Sequence, residues 1–91
     1  MYNFHVSEHL LKILKKLAKK DKCIYDQVLN KIDEIVHSGD VEHYKNLRYT
    51  MKDSKSVHIR SFVLIFQFDK KNQMINFDDF DHHDIIYKKK R

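Results

Sequence analysis

The segment of residues 56–69 constrains the fold of this chain more than any other, because its pattern changes halfway from alternating to almost wholly apolar. Alternation over residues 56–60 predicts a strand, with His58 and Arg60 on its polar face and apolar side chains on the other. Residues 62–68 are apolar apart from a glutamine, which is typical of a central strand covered on both faces. The segment therefore predicts a proton-transfer group beside a fixed cation on a rigid element, as chemistry on a phosphate requires.

A helical hairpin is predicted upstream of these strands. Ser7 can cap a helix over Glu8–Lys20, in which leucines recur at helical spacing. Asp21 can cap a second helix, which has an aliphatic stripe and a stop at residues 37–39. The connector between the helices is so short that they should pack antiparallel. Residues 2–6 alternate as a short opening strand with one buried face.

The rest of the chain predicts further strands. After Gly39 the helical period is lost, and residues 47–51 alternate as a strand. Turns are expected at residues 52–55 and 70–72, and a last strand at residues 74–78. Short connections between consecutive strands favour an antiparallel meander. The predicted fold class is α+β, with a short N-terminal strand and a helical hairpin packed on one face of a twisted antiparallel sheet.

Composition excludes several classes of protein. The 91 residues are too few for two hydrophobic cores, so a single domain over residues 1–91 is predicted. No apolar run approaches the roughly 18 residues of a membrane span and no signal organisation opens the chain, so we expect a cytoplasmic protein. Cys23 is the only cysteine, which leaves no disulfide framework and no thiolate metal site. Lys and Arg total 18 against 13 Asp and Glu, and this excess favours a polyanion or an acidic protein as partner.

Several patterns follow one another along essentially the whole chain: a short strand, a helical hairpin, a loop with a histidine before a leucine, the strand pair at residues 58–66, and a closing His83-x-x-x-Tyr87. In this order they resemble the RelE/ParE superfamily of small bacterial and archaeal toxins. The histidine pattern is most similar to that of YafQ-like messenger RNA interferases, which carry histidines in the loop, on the strand and near the C-terminus. The resemblance implies the same α+β fold.

The resemblance also implies a function. Most enzymatic members are toxin endoribonucleases that cleave messenger RNA, many of them only on the ribosome, and so inhibit translation. The implied partners are a cognate antitoxin protein, messenger RNA and the ribosome, with no role for a membrane. No cofactor is implied, because cleavage would proceed by metal-independent acid and base chemistry.

The match to the superfamily suggests which side chains act on RNA. Cleavage without a metal requires a base for the 2′-hydroxyl, an acid for the leaving 5′-oxygen and cations for the phosphorane. Histidine suits both proton roles because it titrates near physiological pH. We therefore expect His58 and His83 to be the acid and base, in either order, and Arg60 to clamp the phosphate. Tyr87 would stack on a base or orient a proton, and His43 matches the loop histidine loosely.

The chain also departs from the superfamily pattern. Val63 stands where many members carry an arginine on the central strand, so one transition-state cation is either missing or supplied by Arg48 or Lys52. Together with Lys55, these two residues are expected to bind RNA. The acidic residue that YafQ-like toxins carry shortly after the strand histidine is missing after His58. These departures imply an active site organised differently, or one of reduced activity.

Two other functions stay open. A ParE-like topoisomerase inhibitor would share the fold, although the joint presence of His58, Arg60 and His83 argues against it. A catalytically decayed toxin that acts as a binding domain is favoured by Val63 and the missing acid. Residues 78–84 hold carboxylates and histidines that can ligate metals, but carboxylates at such spacing more often form a solvated turn. No metal site is predicted.

Overall fold

The computed structural model of the chain describes residues 2–39 and 54–89. In chain order its elements are β1 (Asn3–Val6), α1 (Glu8–Lys20), α2 (Lys22–Val36), β2 (Ser54–Ile59), β3 (Phe62–Asp69), β4 (Met74–His82) and α3 (His83–Lys89). The strand predicted over residues 47–51 lies outside the described residues. Within the described part of the chain, no helix is both long enough and apolar enough to cross a membrane.

Both predicted helix starts are confirmed by their caps. The Ser7 hydroxyl oxygen accepts a hydrogen bond from Leu10 N at 3.1 Å, and α1 begins at the next residue. The Asp21 carboxylate accepts one from Ile24 N, also at 3.1 Å, at the start of α2. Ser7 in turn donates its hydroxyl to the carbonyl oxygen of Asp78 at 2.8 Å, which fastens the start of α1 to β4. Each helix thus begins where a side chain satisfies an otherwise unpaired backbone N–H.

The four described strands form one mixed sheet in the order β1-β4-β3-β2. β2, β3 and β4 pair antiparallel, as the short connections predict. β1 pairs parallel with β4, so that Val6 lies opposite Phe77, and the strand pattern did not predict this direction. The alternation of β1 predicted a strand with one buried face, but none of its residues is buried and Phe4 is 49% exposed. The pattern also says nothing about the direction of a partner some 70 residues away. The α+β fold class, with helices packed on the sheet, is confirmed.

Several boundaries differ from the predicted ones, most of all at β2 and β4. β2 spans Ser54–Ile59, so Lys55 lies in the strand rather than in a turn, and Arg60 lies beyond the strand. β4 continues to His82, past the expected end at residue 78, because Phe80 packs in the core despite its acidic neighbours. The helix α3 was not predicted, and Ile86 is its one buried residue among those whose side chains are described. A single anchoring side chain gives too little periodicity to be recognised in a sequence.

The hydrophobic core lies between the helical hairpin and one face of the sheet. Phe66 and Phe77 pack at its centre, with ring centroids 5.7 Å apart. On the opposite face, Val63, Ile65 and Ile86 form a smaller buried cluster. β3 is therefore covered on both faces, as its apolar run predicts.

The turn between β3 and β4 is closed by one side-chain pair. The Asp69 carboxylate accepts hydrogen bonds from the Asn72 side-chain amide at 2.8 Å and from Asn72 N at 3.2 Å. These bonds favour the charged carboxylate, so they lower the pKa of Asp69 below its ordinary value. Because the folded-state pKa is the lower one, the pair stabilises the fold above the unfolded-state pKa, and this contribution is lost as pH falls through the folded-state pKa.

Replacing Asn72 by alanine should raise the pKa of Asp69 toward its ordinary value, since the side-chain hydrogen bond is the largest cause of the lowering. A titration of the Asp69 carboxyl followed by NMR measures the change. Asn30→Ala, an exposed substitution of the same kind on α2, is the control and should leave that pKa unchanged. An unchanged pKa in Asn72→Ala would contradict the assignment.

Candidate functional site

Three of the predicted site residues lie at the same end of the sheet. β2 closes just after His58, and Ile59 pairs with Phe62 at the start of β3. His83 begins α3 directly after β4, and its backbone N–H donates to the carbonyl oxygen of Ser61 at 3.0 Å. Three segments therefore lie together: the C-terminal end of β2, the two-residue turn at positions 60 and 61, and the C-terminal end of β4. We call this the turn end of the sheet.

Arg60 occupies the turn in a conformation that L-residues rarely adopt. Its φ is 58°, in the left-handed region, which costs about 1 kcal/mol for a residue with a Cβ. The prediction that Arg60 continues the polar face of the strand beside His58 is wrong, because the two-residue turn reverses the chain at this position. The guanidinium instead reaches α2.

The Arg60 guanidinium is held by two side chains of α2. Its Nη2 lies 3.5 Å from the Sγ of Cys23. With the Gln27 amide turned so that its oxygen faces the guanidinium, that oxygen accepts from Nη2 at 3.1 Å and from Nε at 3.3 Å. Arg60 thus links the turn between β2 and β3 to α2. Gln27 was not predicted as a site residue, because nothing in a sequence indicates which helix a turn will contact.

His58 is exposed on β2 and borders a small groove between β2 and α2. The groove has a volume of about 340 Å³ and is lined by His58, Ile59, Arg60, Gln27, Asn30, Lys31 and Glu34. Lys31 donates to the Glu34 carboxylate at 3.1 Å, so this far wall carries a compensated pair of charges. Arg60 and His58 are the groups in the groove suited to contact a phosphate and move a proton.

His83 lies in a compact group with His82 and Asp84. The Nδ1 atoms of the two histidines are 3.3 Å apart, within hydrogen-bonding distance. His83 Nε2 lies 3.5 Å from one carboxylate oxygen of Asp84, and His82 Nδ1 lies 3.8 Å from the other. His82 was not predicted to be a catalytic residue. Two adjacent histidines at the close of a strand are the signal that could have drawn attention to it.

His82 is also in contact with an aromatic stack of the core. Its ring lies edge-on to Phe62 with centroids 5.9 Å apart, and Phe62 stacks on Phe80 at 5.1 Å. These rings restrict the orientations open to His82. The group of His82, His83 and Asp84 is therefore held at both ends, by the stack and by the bond from His83 to Ser61.

The position of Val63 is closed to a cation in this fold. Val63 is fully buried in the small cluster with Ile65 and Ile86, beneath α3. An arginine there would have to displace α3 or bury its charge, which is costly without a partner. A cation of this site would therefore have to come from another position, and among the described residues Arg60 lies at the turn end.

The remaining predicted residues are distributed as follows. Tyr87 lies on α3, one position after Ile86. Lys55 lies on β2 and is buried. His43, Arg48 and Lys52 lie outside the described residues. Contacts of all five with RNA stay predictions.

A second concave surface lies on the other side of the molecule, between β1 and the two long helices. This apolar groove has a volume of about 730 Å³ and is lined by Phe4, Val6, Leu11, Leu14, Ala18, Tyr25, Leu29, Ile32 and Val36, with Lys15, Lys19, Asp33 and His37 at its rims. Phe4, Leu11 and Leu29 are among the most exposed large apolar side chains of the described residues. Exposed apolar patches rimmed by charge are typical of protein interaction sites.

Comparison with known proteins gives a consistent result. No protein-family model matches the chain. It is 49% identical over 92 residues to a protein of Methanocaldococcus jannaschii named "Putative toxin RelE4", covering 100% of this chain and 96% of that protein. It is 40% identical over 88 residues to an uncharacterized protein of Methanosarcina mazei, covering 96% of this chain and 100% of that protein. Among solved structures, the toxin of the intact Escherichia coli RelBE toxin-antitoxin complex matches with a TM-score of 0.71 and 24% identity, over 90% of this chain and 96% of that one.

Proposed function

The chain belongs to the RelE family of toxins of toxin–antitoxin systems, and on this basis we propose that it is an endoribonuclease that cleaves messenger RNA on the ribosome. The observation that supports the proposal is the meeting of His58, Arg60 and His83 at the turn end of the sheet. Two groups able to move protons and one fixed cation are the minimum for RNA cleavage without a metal ion.

The two histidines have separate proton roles in the proposed reaction. One accepts the proton of the 2′-hydroxyl as its oxygen attacks the phosphorus, and the other donates a proton to the 5′-oxygen as the P–O bond breaks. His58 is carried by β2 and His83 by the start of α3, so the two rings belong to different elements. The proposal assigns the attacking oxygen to one ring and the leaving oxygen of the same phosphate to the other.

Arg60 would stabilise the negative charge that develops on the phosphorane. Its guanidinium is oriented before RNA binds, because Gln27 and Cys23 hold it from the side of α2. A preoriented cation costs little reorganisation during the reaction.

The proposal is tested by incubating the purified protein with a radiolabelled message, either naked or engaged by translating ribosomes. We expect cuts within the translated codons of the engaged message, with fragments ending in a 2′,3′-cyclic or terminal phosphate, as attack by the 2′-hydroxyl requires. His5→Ala, on exposed β1, is the matched control and should cut as the wild type does. Fragments with free 3′-hydroxyl ends, or no cuts in either substrate, would contradict the proposal.

We propose that the antitoxin docks in the apolar groove. An amphipathic segment of the cognate antitoxin would place its apolar side chains against Phe4, Leu11 and Leu29, which are exposed in the isolated chain. Its carboxylates would face Lys15 and Lys19 at one rim of the groove. This charge complementarity, together with an apolar floor, favours an acidic amphipathic protein segment over RNA.

Leu11→Asp should weaken antitoxin binding by roughly 30-fold or more, the effect of losing an apolar anchor at the centre of an interface. The affinity of purified toxin for its antitoxin, measured by calorimetry, tests this. Ile85→Asp is the matched control, since Leu11 and Ile85 are both 46% exposed and Ile85 lies on α3, away from the groove. A larger loss for Ile85→Asp than for Leu11→Asp would overturn the docking assignment.

A further inference from the structure

We propose that His82, His83 and Asp84 form a binding site for a divalent transition-metal ion such as Zn²⁺, and that the bound ion inhibits RNA cleavage by engaging His83. Each of the three residues offers one donor atom, and these atoms all lie within 4.8 Å of one another. The inhibition rests on the proposed function of His83, whereas the binding of the metal does not. The site is regulatory, because cleavage itself is proposed to need no metal.

The spacing of the donor atoms fits a small tetrahedral ion. With Zn–N distances near 2.0–2.1 Å, ligands on a tetrahedron lie about 3.4 Å apart. The histidine nitrogens of the group are 3.3 Å apart, and the two histidine–carboxylate separations are 3.5 and 3.8 Å. The distance from His83 to His82 is measured at Nδ1, and the distance from His83 to Asp84 is measured at Nε2. An ion would bind only one of these two nitrogens. Binding would therefore require a turn of that ring, and the ion would replace the Asp84 N–H that His82 Nδ1 accepts at 3.3 Å.

The chemistry of the donor set selects the class of metal. Two imidazoles and one carboxylate are the ligands of borderline ions, and three protein ligands leave one position for water. Mg²⁺ and Ca²⁺ prefer sets made of oxygen atoms and should not compete. The site is thus distinct from a nonspecific acidic patch.

The site is also preorganised and accessible. The ring of His82 rests against Phe62, and the backbone of His83 is bonded to Ser61. The Asp84 side chain is 73% exposed, so an ion can reach the group from solvent without opening the core. Asp81 accepts the backbone N–H of His82 at 2.8 Å and adds negative charge beside the histidines.

Metal binding would remove His83 from proton transfer. The ring nitrogen that coordinates the ion uses its lone pair, and the other ring nitrogen carries the N–H, so the bound ring has no lone pair left to accept a proton and cannot become the protonated acid. The same residues would therefore either cut RNA or hold the ion. Zinc would act as a reversible inhibitor of the toxin.

Calorimetry of the purified full chain with ZnCl₂ tests the binding. We expect one ion per chain, no competition from millimolar MgCl₂, and at least about a tenfold weaker affinity in His82→Ala and in Asp84→Asn. The exposed Asp84→Asn keeps the test valid if His82→Ala does not fold. His37→Ala is the matched control, because His37 Nδ1 lies 3.3 Å from Asp33 Oδ1 in another histidine–aspartate pair. Unchanged affinity in Asp84→Asn, or an equal loss in His37→Ala, would overturn the site.

Cleavage assays test the inhibition. For the wild type, the cutting rate without zinc should be much higher than the rate with zinc. A zinc-selective chelator should return the rate to its zinc-free value. In Asp84→Asn, the ratio of the rate without zinc to the rate with zinc should be at least tenfold smaller than in the wild type. A wild-type enzyme that binds zinc and cuts at the same rate would overturn the inhibitory role. A wild type that does not cut even without zinc would contradict the proposed function, and calorimetry alone would then decide the metal site.

Discussion

Replacing His58 by alanine is expected to abolish the growth arrest that induction of this chain causes. If His58 moves a proton in the transition state, its loss should slow cleavage by about 10²–10⁴-fold. At that rate, the messages of a growing cell would be replaced faster than they are cut. Growth curves after induction measure the effect. The fold should survive, because His58 is exposed and lies outside the core.

The control for this experiment is His5→Ala, which removes another exposed histidine on a strand. It should arrest growth as strongly as the wild type at equal expression. His83→Ala should match His58→Ala, and the double variant should add little, because groups that act in one step are not additive. A His58→Ala variant that remains fully toxic would show that His58 is not a catalytic residue.

The second large effect is expected on stability. Phe66→Ala should lower the free energy of unfolding by about 3–5 kcal/mol, because it removes a large ring that is 0% exposed at the centre of the core. For a chain of this size the loss corresponds to a decrease in Tm of roughly 12 °C or more. That is a large share of the ~5–15 kcal/mol that stabilises a typical domain. Thermal and urea unfolding followed by circular dichroism measure it.

Phe4→Ala is the matched control, since it deletes the same atoms from a position that is 49% exposed. Its cost should stay below about 1.5 kcal/mol, because part of the ring already faces water. Equal losses for the two variants would mean that the core is not centred between the helical hairpin and the sheet.

The two helices of the hairpin, α1 and α2, could be predicted from the sequence to within a residue, whereas α3 could not. Ser7 and Asp21 mark their starts, and a side chain that caps a helix acts on an N–H only three residues away. The burial of β3 was equally readable, because an apolar run needs cover on both faces. Such features are local, so a single sequence contains all the information that they require.

The features that were not predicted depend on distant contacts. The parallel pairing of β1 with β4 joins the two ends of the described chain. The end of β4 was missed because Asp78 and Asp79 resemble a turn. Asp79 in fact accepts the N–H of Phe80 at 2.8 Å and lies 3.0 Å from His9 Nε2, and these contacts make a carboxylate tolerable in a strand.

The residues of the candidate site were named from the sequence, and their catalytic roles stay predictions. His58, Arg60 and His83 were singled out, and the structure brings them to one end of the sheet. The side chain that orients Arg60 was not foreseen, because the turn at Arg60 directs the guanidinium toward α2 rather than along the strand. The expected resemblance to RelE toxins is confirmed by the 49% identical relative, whereas the closer likeness to YafQ-like interferases stays a prediction.

The central claim is that this toxin cuts messenger RNA with His58. Mapping of messenger RNA 5′ ends by primer extension, after brief induction of the wild type and of His58→Ala, tests it most directly. We predict new 5′ ends inside translated codons for the wild type and none for the variant. Intact messages in cells that have stopped growing would contradict the claim and favour a topoisomerase inhibitor, and the same cuts in His58→Ala would contradict the role of His58.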